Sequence, residues 1–213
     1  MRRVILLKMN LSAGIGPVDG ILIQIVDSAM AEAAGKSGSW LVCRPGCTQC
    51  CIGPFPITQL DARRLRLGLG ELAVREPETA VRVRERARQA VARLSTDFPG
   101  DPITGLLAAD DTADERFADF ANDEPCPALD PDTGTCDLYA ARPITCRTCG
   151  PPIRCESGEL ACCELCFQGA TDAEIASCEV EIDPQDLEPA ILEELENTTG
   201  VRGQTIVAYC LAS

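Results

Sequence analysis

The stretch Cys43-Arg44-Pro45-Gly46-Cys47-Thr48-Gln49-Cys50-Cys51 places four cysteines within nine residues, spaced C-x3-C-x2-C-C. Cysteine thiolates are common ligands of structural zinc, and they also hold the irons of iron–sulfur clusters. An isolated C-x2-C arises readily by chance in a cysteine-rich chain, whereas four cysteines at this spacing do not. The stretch therefore predicts a thiolate metal site.

A second cysteine-rich stretch lies downstream and has three parts. They are Cys126-Pro127-Ala128-Leu129, Cys136-Asp137-Leu138-Tyr139, and Arg142-Pro143 followed by Cys146-Arg147. The simplest interpretation is that the rest of the chain is a scaffold that brings the two stretches together around metal. The candidate ligands from these two stretches are Cys43, Cys47, Cys50, Cys51, Cys126, Cys136 and Cys146.

The adjacent pair Cys50-Cys51 constrains the kind of site. Side chains of neighbouring residues diverge, so the two sulfurs rarely bind one metal together. The pair could serve two metals, two irons of one cluster, or one metal while the other thiol is structural. A disulfide between the two residues is the remaining alternative, and it would be strained.

The chain has 14 cysteines and no histidine. A disulfide scaffold would need a secretory route, but the apolar run after the N-terminus stops at Lys8 and is too short for a signal peptide. We therefore expect a cytoplasmic location, where thiols stay reduced and clustered cysteines usually hold metal. The absence of histidine excludes Cys2His2 fingers, histidine-based catalytic zinc sites and Ser/His catalytic triads.

The formal net charge of −14 argues against nucleic-acid binding, because phosphate neutralisation needs an excess of Lys and Arg. No membrane span is predicted, since the apolar stretch 21–34 contains Asp27 and Glu32. Residues 63–93 carry a charge of +5 and residues 110–132 a charge of −8. We expect these segments to face each other or solvent, and any redox or protein partner is left unidentified.

Apolar spacing predicts a mainly α protein with one domain, built around an irregular cysteine-rich centre. Residues 1–17 are expected to be a loosely ordered start and residues 18–213 to form the metal-binding domain. Helices are predicted at 19–34, after the cap at Thr58, from Pro77 to about Leu94, at 113–121, after the capping box at Thr171, and up to Gly200. The tail 204–209 is predicted to be a short strand.

The two cysteine stretches resemble the CxxCxxCC cysteine-cluster family, known as YkgJ-like and described as a zinc- or iron-chelating domain. The positions that match the family pattern are Cys43, Cys47, Cys50, Cys51, Cys126 with Pro127, Cys136 with Tyr139, Arg142-Pro143 and Cys146-Arg147. The resemblance covers roughly 43–166 and implies a metal-binding role for these cysteines. Because relatives often carry a cysteine near 163, it also adds Cys163 and Cys166 to the candidate ligands.

Two features depart from the family pattern. The first gap has three residues where the family name implies two, and Cys149 stands where the family usually has an aromatic residue. Cys149 either adds a ligand or replaces an aromatic wall. The lone Cys178 and Cys210 are expected to be buried as small apolar side chains, and Cys155 and Cys162 are weaker candidates than Cys163 and Cys166.

Two functions compete on these grounds. The first is a metal-binding protein that holds zinc or an iron–sulfur cluster, either as a structural site or to carry electrons. The second is an enzyme, either an iron–sulfur-dependent oxidoreductase or a protein-modifying enzyme similar to the flagellin lysine methylases, which carry a related cysteine signature. The sequence offers no motif for a substrate or cosubstrate, so no catalytic residue is assigned.

Overall fold

The computed structural model describes residues 15–44, 46–110, 112–155 and 158–213. Within them the chain is mainly α-helical, which confirms the predicted fold class. The helices are α1 (Ile15–Ser37), α2 (Gln59–Arg75), α3 (Pro77–Leu94), α4 (Ala113–Ala118), α5 (Ile144–Thr148), α6 (Asp172–Ser177), α7 (Leu187–Thr199) and α8 (Val207–Ala212). Short 3-10 turns occupy Gly38–Trp40, Gln49–Cys51 and Tyr139–Ala141.

The strands of the described residues form three antiparallel pairs. They are β1 (Gly100–Asp101) with β2 (Leu106–Leu107), β3 (Leu129–Asp130) with β4 (Thr135–Cys136), and β5 (Ile153–Arg154) with β6 (Leu160–Ala161). Each strand has two residues, which is too short to bury a sheet face. The helices therefore carry the core, and the strand pairs shape the loops.

Helices α2, α3 and α8 pack together around the largest apolar cluster. Helix α2 begins after Thr58, whose Oγ1 accepts a hydrogen bond from the backbone N–H of Asp61 at 3.2 Å. Helix α3 has Pro77 at its first position and ends at Leu94, as predicted. The buried side chains that fill this cluster include Leu65, Leu69, Leu72, Val83, Ala87, Val207 and Leu211.

A buried ion network joins α1, α2 and the start of α5. Arg64 donates from Nε to Asp19 at 2.8 Å and from Nη1 to Asp61 at 2.6 Å. Asp61 also accepts a hydrogen bond from the backbone N–H of Ile144 at 3.0 Å. Buried charges are tolerated where they are paired and hydrogen-bonded, so this network fixes the start of α5 against the two long helices.

The basic face of α3 meets acidic residues of the same chain. Arg93 forms an ion pair with Glu124 at 2.6 Å, and Arg86 forms one with Asp137 at 2.5 Å. Arg86 also donates from Nε to the carbonyl of Pro127 at 2.9 Å. The arrangement predicted for the charged segments is therefore present at these positions, and it anchors the second cysteine stretch to α3.

The predicted tail strand is wrong. Residues 207–212 form α8, because Val207, Ala208, Cys210 and Leu211 are buried at helical spacing against α2 and α3. Tertiary burial outweighs the strand preference of the β-branched residues here. The strand character survives as one bridge, in which the N–H groups of Ile57 and Thr205 each donate to the other's carbonyl at 2.8 and 3.0 Å.

Other differences are local. Leu67 of α2 is an apolar side chain that is 52% exposed, whereas Leu69 lies in the core. The loosely ordered start was predicted to span residues 1–17. Residues 1–14 lie outside the described residues, and residues 15–17 belong to α1. None of the helices in the described part of the chain combines the length and hydropathy that crossing a bilayer requires.

Candidate metal centre

The two cysteine stretches meet through their backbones. The backbone N–H of Cys126 donates to the carbonyl of Cys51 at 2.7 Å, and that of Gly53 donates to the carbonyl of Glu124 at 2.9 Å. Ile52 and Pro125 form an antiparallel bridge between these bonds. The chain thus brings together the segments that the sequence predicted to converge.

The first stretch folds into tight turns that present its cysteines. The N–H of Cys47 donates to the carbonyl of Arg44 at 2.9 Å, and the N–H of Cys51 donates to that of Thr48 at 2.8 Å. The 3-10 turn Gln49–Cys51 then carries the adjacent Cys50 and Cys51, whose thiols hydrogen-bond each other. Two tight turns therefore bring the four cysteines of this stretch close together along the chain.

Four cysteines from three elements form an inner group of thiols. Cys51 follows the first loop, Cys126 and Cys136 flank the β3–β4 hairpin, and Cys146 lies on α5. Leu129 pairs with Cys136 across the hairpin, which brings Cys136 back beside Cys126. The charges of Cys126 and Cys136 act on both Cys51 and Cys146, so these four side chains are electrostatic neighbours.

Four further cysteines form an outer group, namely Cys43, Cys149, Cys163 and Cys166. Cys43 interacts with Cys163 and Cys166, and Cys149 interacts with Cys163 and Cys43. The backbone supports this grouping. The N–H of Cys163 donates to the carbonyl of Gly150 at 3.2 Å, and a Cβ at Gly150 would lie 3.9 Å from the Cys43 sulfur. Gly150 has a φ of +131°, a backbone conformation that would be strained for a residue with a side chain.

Backbone N–H groups point at several of the sulfurs. Those of Ala128 near Cys126 and of Leu138 near Cys136 lower the pKa of these thiols, whereas the N–H of Leu129 donates to the carbonyl of Cys126 at 2.9 Å. The N–H groups of Val42 and Cys43 act on the Cys166 thiol in the same way as those of Ala128 and Leu138. Such bonds lower the cysteine pKa because they favour the thiolate over the thiol. The thiolate is the protonation state that binds metal.

Burial and mutual repulsion oppose ionisation of the same thiols. Desolvation raises the pKa of Cys126 to about 11 and that of Cys43 to about 11. Desolvation also raises the pKa of Cys146, and the charges of Cys126 and Cys136 raise it further. A bound cation reverses this balance, because it attracts each thiolate and removes the repulsion between them.

Cys50 is the exception among the clustered thiols. Hydrogen bonds from the thiols of Cys149 and Cys51 lower its pKa, and the charge of Arg142 lowers it further. The same contacts raise the pKa of Cys149 and Cys51, which hold the protons. Cys50 is therefore the favoured thiolate of this trio, and it lies between the inner and the outer group.

The two arginines of the second stretch have different surroundings. Arg147 donates from Nη1 to both carboxylate oxygens of Asp27 on α1, at 2.8 and 3.0 Å, and from Nε and Nη2 to the carbonyls of Arg142 and Ala140. Its role is to tie α5 to α1. Arg142 instead stacks over the Tyr139 ring, with Cζ 3.7 Å from the ring centroid.

Arg142 also faces the cysteines. Its charge lowers the pKa of Cys50 and of Cys136, and its buried Nε has no hydrogen-bond partner among the described residues. A buried donor without a partner costs free energy, about 1–3 kcal/mol. An acceptor at the cysteine centre, such as a thiolate or an inorganic sulfide, would satisfy it.

The thiols are reduced and are neighbours, but they do not form a finished coordination site. All 14 cysteines are free. Within the described residues, no group of three or more Cys, Asp or Glu side chains is arranged so that it could hold a metal ion as it stands. The donor chemistry and the orphan Nε of Arg142 nevertheless fit a thiolate-bound metal.

The remaining cysteines have different surroundings, and Cys178 packs in the same apolar cluster as Cys166. Cys155 is exposed, while Cys178 and Cys210 are 5% and 1% exposed in apolar clusters, as predicted. Trp40 stacks on Phe167 with ring centroids 6.4 Å apart and closes the apolar side of the outer group. The sequence left the place of Cys149 open, and its thiol lies beside that of Cys50.

Comparison with known proteins gives one match. Residues 42–166 match the CxxCxxCC family, described as "Putative zinc- or iron-chelating domain". The matched region begins one residue before Cys43 and ends at Cys166, so it contains both cysteine stretches. No curated protein and no solved structure gives a significant match to the chain.

Proposed function

We propose a specific metal-binding function for this chain, which belongs to the CxxCxxCC family of zinc- or iron-chelating domains. Family membership supports metal binding, and the proposal adds the residues and the metal. The chain binds zinc or an iron–sulfur cluster through thiolates of both cysteine stretches. The reducing cytoplasm is the setting in which these thiols would remain available.

One observation carries the proposal. The backbone N–H of Cys126 donates to the carbonyl of Cys51 at 2.7 Å, the β3–β4 hairpin brings Cys136 back toward Cys126, and Cys126 and Cys136 pack against the same apolar cluster. Four thiolates are the ligand set of a structural zinc or of one iron–sulfur cluster. A single cysteine such as Cys210 can fill space in an apolar core as a small side chain. Such packing does not explain why several cysteines lie together.

The bound metal would either hold the irregular loops together or, as a cluster, carry electrons. The chain's own residues offset the negative charge of the thiolates. Arg142 supplies a positive charge and an unpaired Nε, and the N–H groups of Ala128 and Leu138 supply donors. All of these favour ionised sulfur.

The alternative function, an iron–sulfur-dependent oxidoreductase or a methylase-like enzyme, requires a substrate site at the centre. The cavity that Cys126 helps to line has a volume of about 20 Å³, which is room for about one water molecule. A much larger cavity of about 770 Å³ is lined by residues 96–101, 104, 106–108 and 116, which include no cysteine. Metal binding without turnover at the thiols therefore has the better support.

The test is the metal content of the chain purified without oxygen. Iron, zinc and acid-labile sulfide are counted, and the visible spectrum is recorded. Sulfide together with broad absorption near 400 nm identifies a cluster, whereas a colourless protein with stoichiometric zinc identifies a zinc site. A chain that retains neither metal nor sulfide overturns the proposal.

A matched pair of variants assigns the ligands. Cys146→Ser should lower metal content, because it removes a thiolate of the inner group, and Cys155→Ser should leave it unchanged, since Cys155 is exposed and outside both groups. Far-ultraviolet circular dichroism of Cys146→Ser checks that the helices persist. Equal metal content in the two variants would remove Cys146 from the ligand set.

A further inference from the structure

Helix α1 lies outside the region that matches the family, yet it packs against the short helix that carries Cys146. The match covers residues 42–166, whereas α1 spans Ile15–Ser37. Helix α5 has only five residues, Ile144–Thr148, and isolated helices of that length are unstable in water. Its position must therefore come from contacts with the rest of the chain.

The first end of α5 is held through the buried ion network. Asp61 accepts a hydrogen bond from the backbone N–H of Ile144 at 3.0 Å. The Arg64 guanidinium lies between Asp61 and Asp19 of α1, with one nitrogen 2.6 Å from each carboxylate. The side chains of Arg64 and Asp61 are 6% and 3% exposed, so water has little access to these bonds. The start of α5 is thus fixed to both α2 and α1.

The other end of α5 is held by Arg147. Its Nη1 donates to both carboxylate oxygens of Asp27, at 2.8 and 3.0 Å. Its Nε donates to the carbonyl of Arg142 at 3.2 Å, and its Nη2 donates to the carbonyl of Ala140. One guanidinium therefore joins α1, α5 and the segment that leads into α5.

Cys146 lies between the two held residues of α5, Ile144 and Arg147. Asp19 and Asp27, which hold them from α1, are eight residues apart, or about two helical turns. A thiol on a loose segment must be ordered when it binds, and that ordering costs free energy. Fixing both ends of α5 in advance reduces this cost.

We propose that Asp27 is a positioning residue of the metal centre, which holds Arg147 and thereby completes the two-ended attachment of α5 that keeps Cys146 in place for metal. This role rests on the proposed function and adds a residue from outside the region that defines the family. Asp27 acts through Arg147. Removing a partner that orients a ligand without binding the metal typically lowers metal affinity by about 10–100-fold.

The test compares two carboxylates of α1. Asp27→Asn weakens the hold on Arg147 and should leave the fold intact, because the Asp27 side chain is half exposed. Glu32→Gln is the control, since Glu32 pairs with Lys36 at the surface at 2.7 Å. The metal-free, reduced full-length chain and both variants are titrated with Co²⁺ under argon against a competing chelator. Asp27→Asn should lower the affinity about 10-fold, and Glu32→Gln should match the unmodified chain.

For a chain that is purified with an iron–sulfur cluster, the rate at which iron is lost to a chelator replaces the Co²⁺ affinity. Asp27→Asn should raise this rate, and Glu32→Gln should not. Circular dichroism of each metal-free variant checks that the helices persist.

Two further readouts separate positioning from a general loss of stability. Once Arg147→Gln is in place, Asp27→Asn should have no further effect on metal binding, because the carboxylate acts through Arg147. In the metal-free chain, the backbone amides of residues 144–148 should exchange with solvent faster in Asp27→Asn than in Glu32→Gln.

The outcomes distinguish the role of Asp27 from the proposed function. If the unmodified chain binds metal and Asp27→Asn binds it equally well, Asp27 is not a positioning residue and metal binding stands. Additive effects of Asp27→Asn and Arg147→Gln, or equal amide exchange in Asp27→Asn and Glu32→Gln, overturn the role in the same way. An unmodified chain that binds no Co²⁺ and is purified without iron or zinc overturns both.

Discussion

Gly68 is the point at which the helical body touches the second cysteine stretch. A Cβ built on Gly68 in α2 would lie 2.2 Å from the Cβ of Ala141. Ala141 ends the 3-10 turn that leads directly into Arg142 and the start of α5. Gly68→Ala should therefore push on the segment that positions Arg142 and Cys146.

The size of the effect follows from a comparison with Gly70 in the same helix. A Cβ at Gly70 meets nothing within 4 Å. Both Gly→Ala changes gain helix propensity, about 0.8–1 kcal/mol each. Only the change at Gly68 adds a contact roughly 1.3 Å closer than carbon atoms tolerate, and such overpacking costs about 1–3 kcal/mol. The difference between the variants isolates this cost, because the propensity gains cancel.

The measurement is urea unfolding of both variants in the same metal state, followed by far-ultraviolet circular dichroism. Gly70→Ala should raise the free energy of unfolding by about 1 kcal/mol, and Gly68→Ala should lie about 1–3 kcal/mol below Gly70→Ala. The double change Gly68→Ala with Ala141→Gly should recover most of the loss. If Gly68→Ala stabilised the chain as much as Gly70→Ala, the packing of α2 against residues 139–141 would be refuted.

Two further predictions concern buried groups outside the centre. Burial, and then Asp61, raise the pKa of Glu188 to about 7, so its ionisation destabilises the fold as pH rises from about 4.5 to 7. Glu188→Gln should raise the free energy of unfolding above pH 7 by about 1 kcal/mol after allowance for solvent screening, and no difference at pH 8 would refute the buried setting. Cys210→Ala should lower that free energy by about 1 kcal/mol and leave metal content unchanged, since its sulfur hydrogen-bonds the carbonyl of Ala62 at 3.2 Å in the core; loss of metal would place Cys210 in a site.

Local signals in the sequence were enough to predict most helices. Thr58 and the capping box at Thr171 fix helix starts through their own hydroxyls, and Pro77 opens α3 with its fixed φ. These interactions involve residues within one turn of each other, so the sequence contains them. Gly200, with a φ of +74°, ends α7 for the same kind of local reason.

The tail and α2 depended on distant contacts instead. Residues 205–207 favour a strand by composition, but the groove between α2 and α3 accepts a helix, and this groove is not visible in the tail itself. Leu67 is apolar, as core residues usually are. The rotation of α2 about its axis nevertheless turns Leu67 to solvent and Leu69 inward. Such rotations are set by packing between helices, which a single segment does not encode.

Some features of the cysteine centre could likewise be predicted from the sequence, and others could not. Cysteine spacing predicted which segments converge, because thiolates have few other uses at that density. The roles of the two arginines could not be predicted, since they depend on how α5 lies against α1. Asp27, 120 residues before Arg147, binds Arg147 and leaves Arg142 facing the thiols.

The structure also explains why the cysteine segments are irregular while the body is helical. Inside a helix, nearly every N–H donates to a carbonyl, so it is not free to point at sulfur. In the Cys126 loop, Pro125 and Pro127 lack an N–H, and the N–H of Ala128 lowers the pKa of the Cys126 thiol. The helical body supplies stability through its apolar core, and the irregular loops give up backbone bonds in order to favour ionised sulfur. A chain made wholly of regular elements would lack the donors that a buried group of thiolates needs.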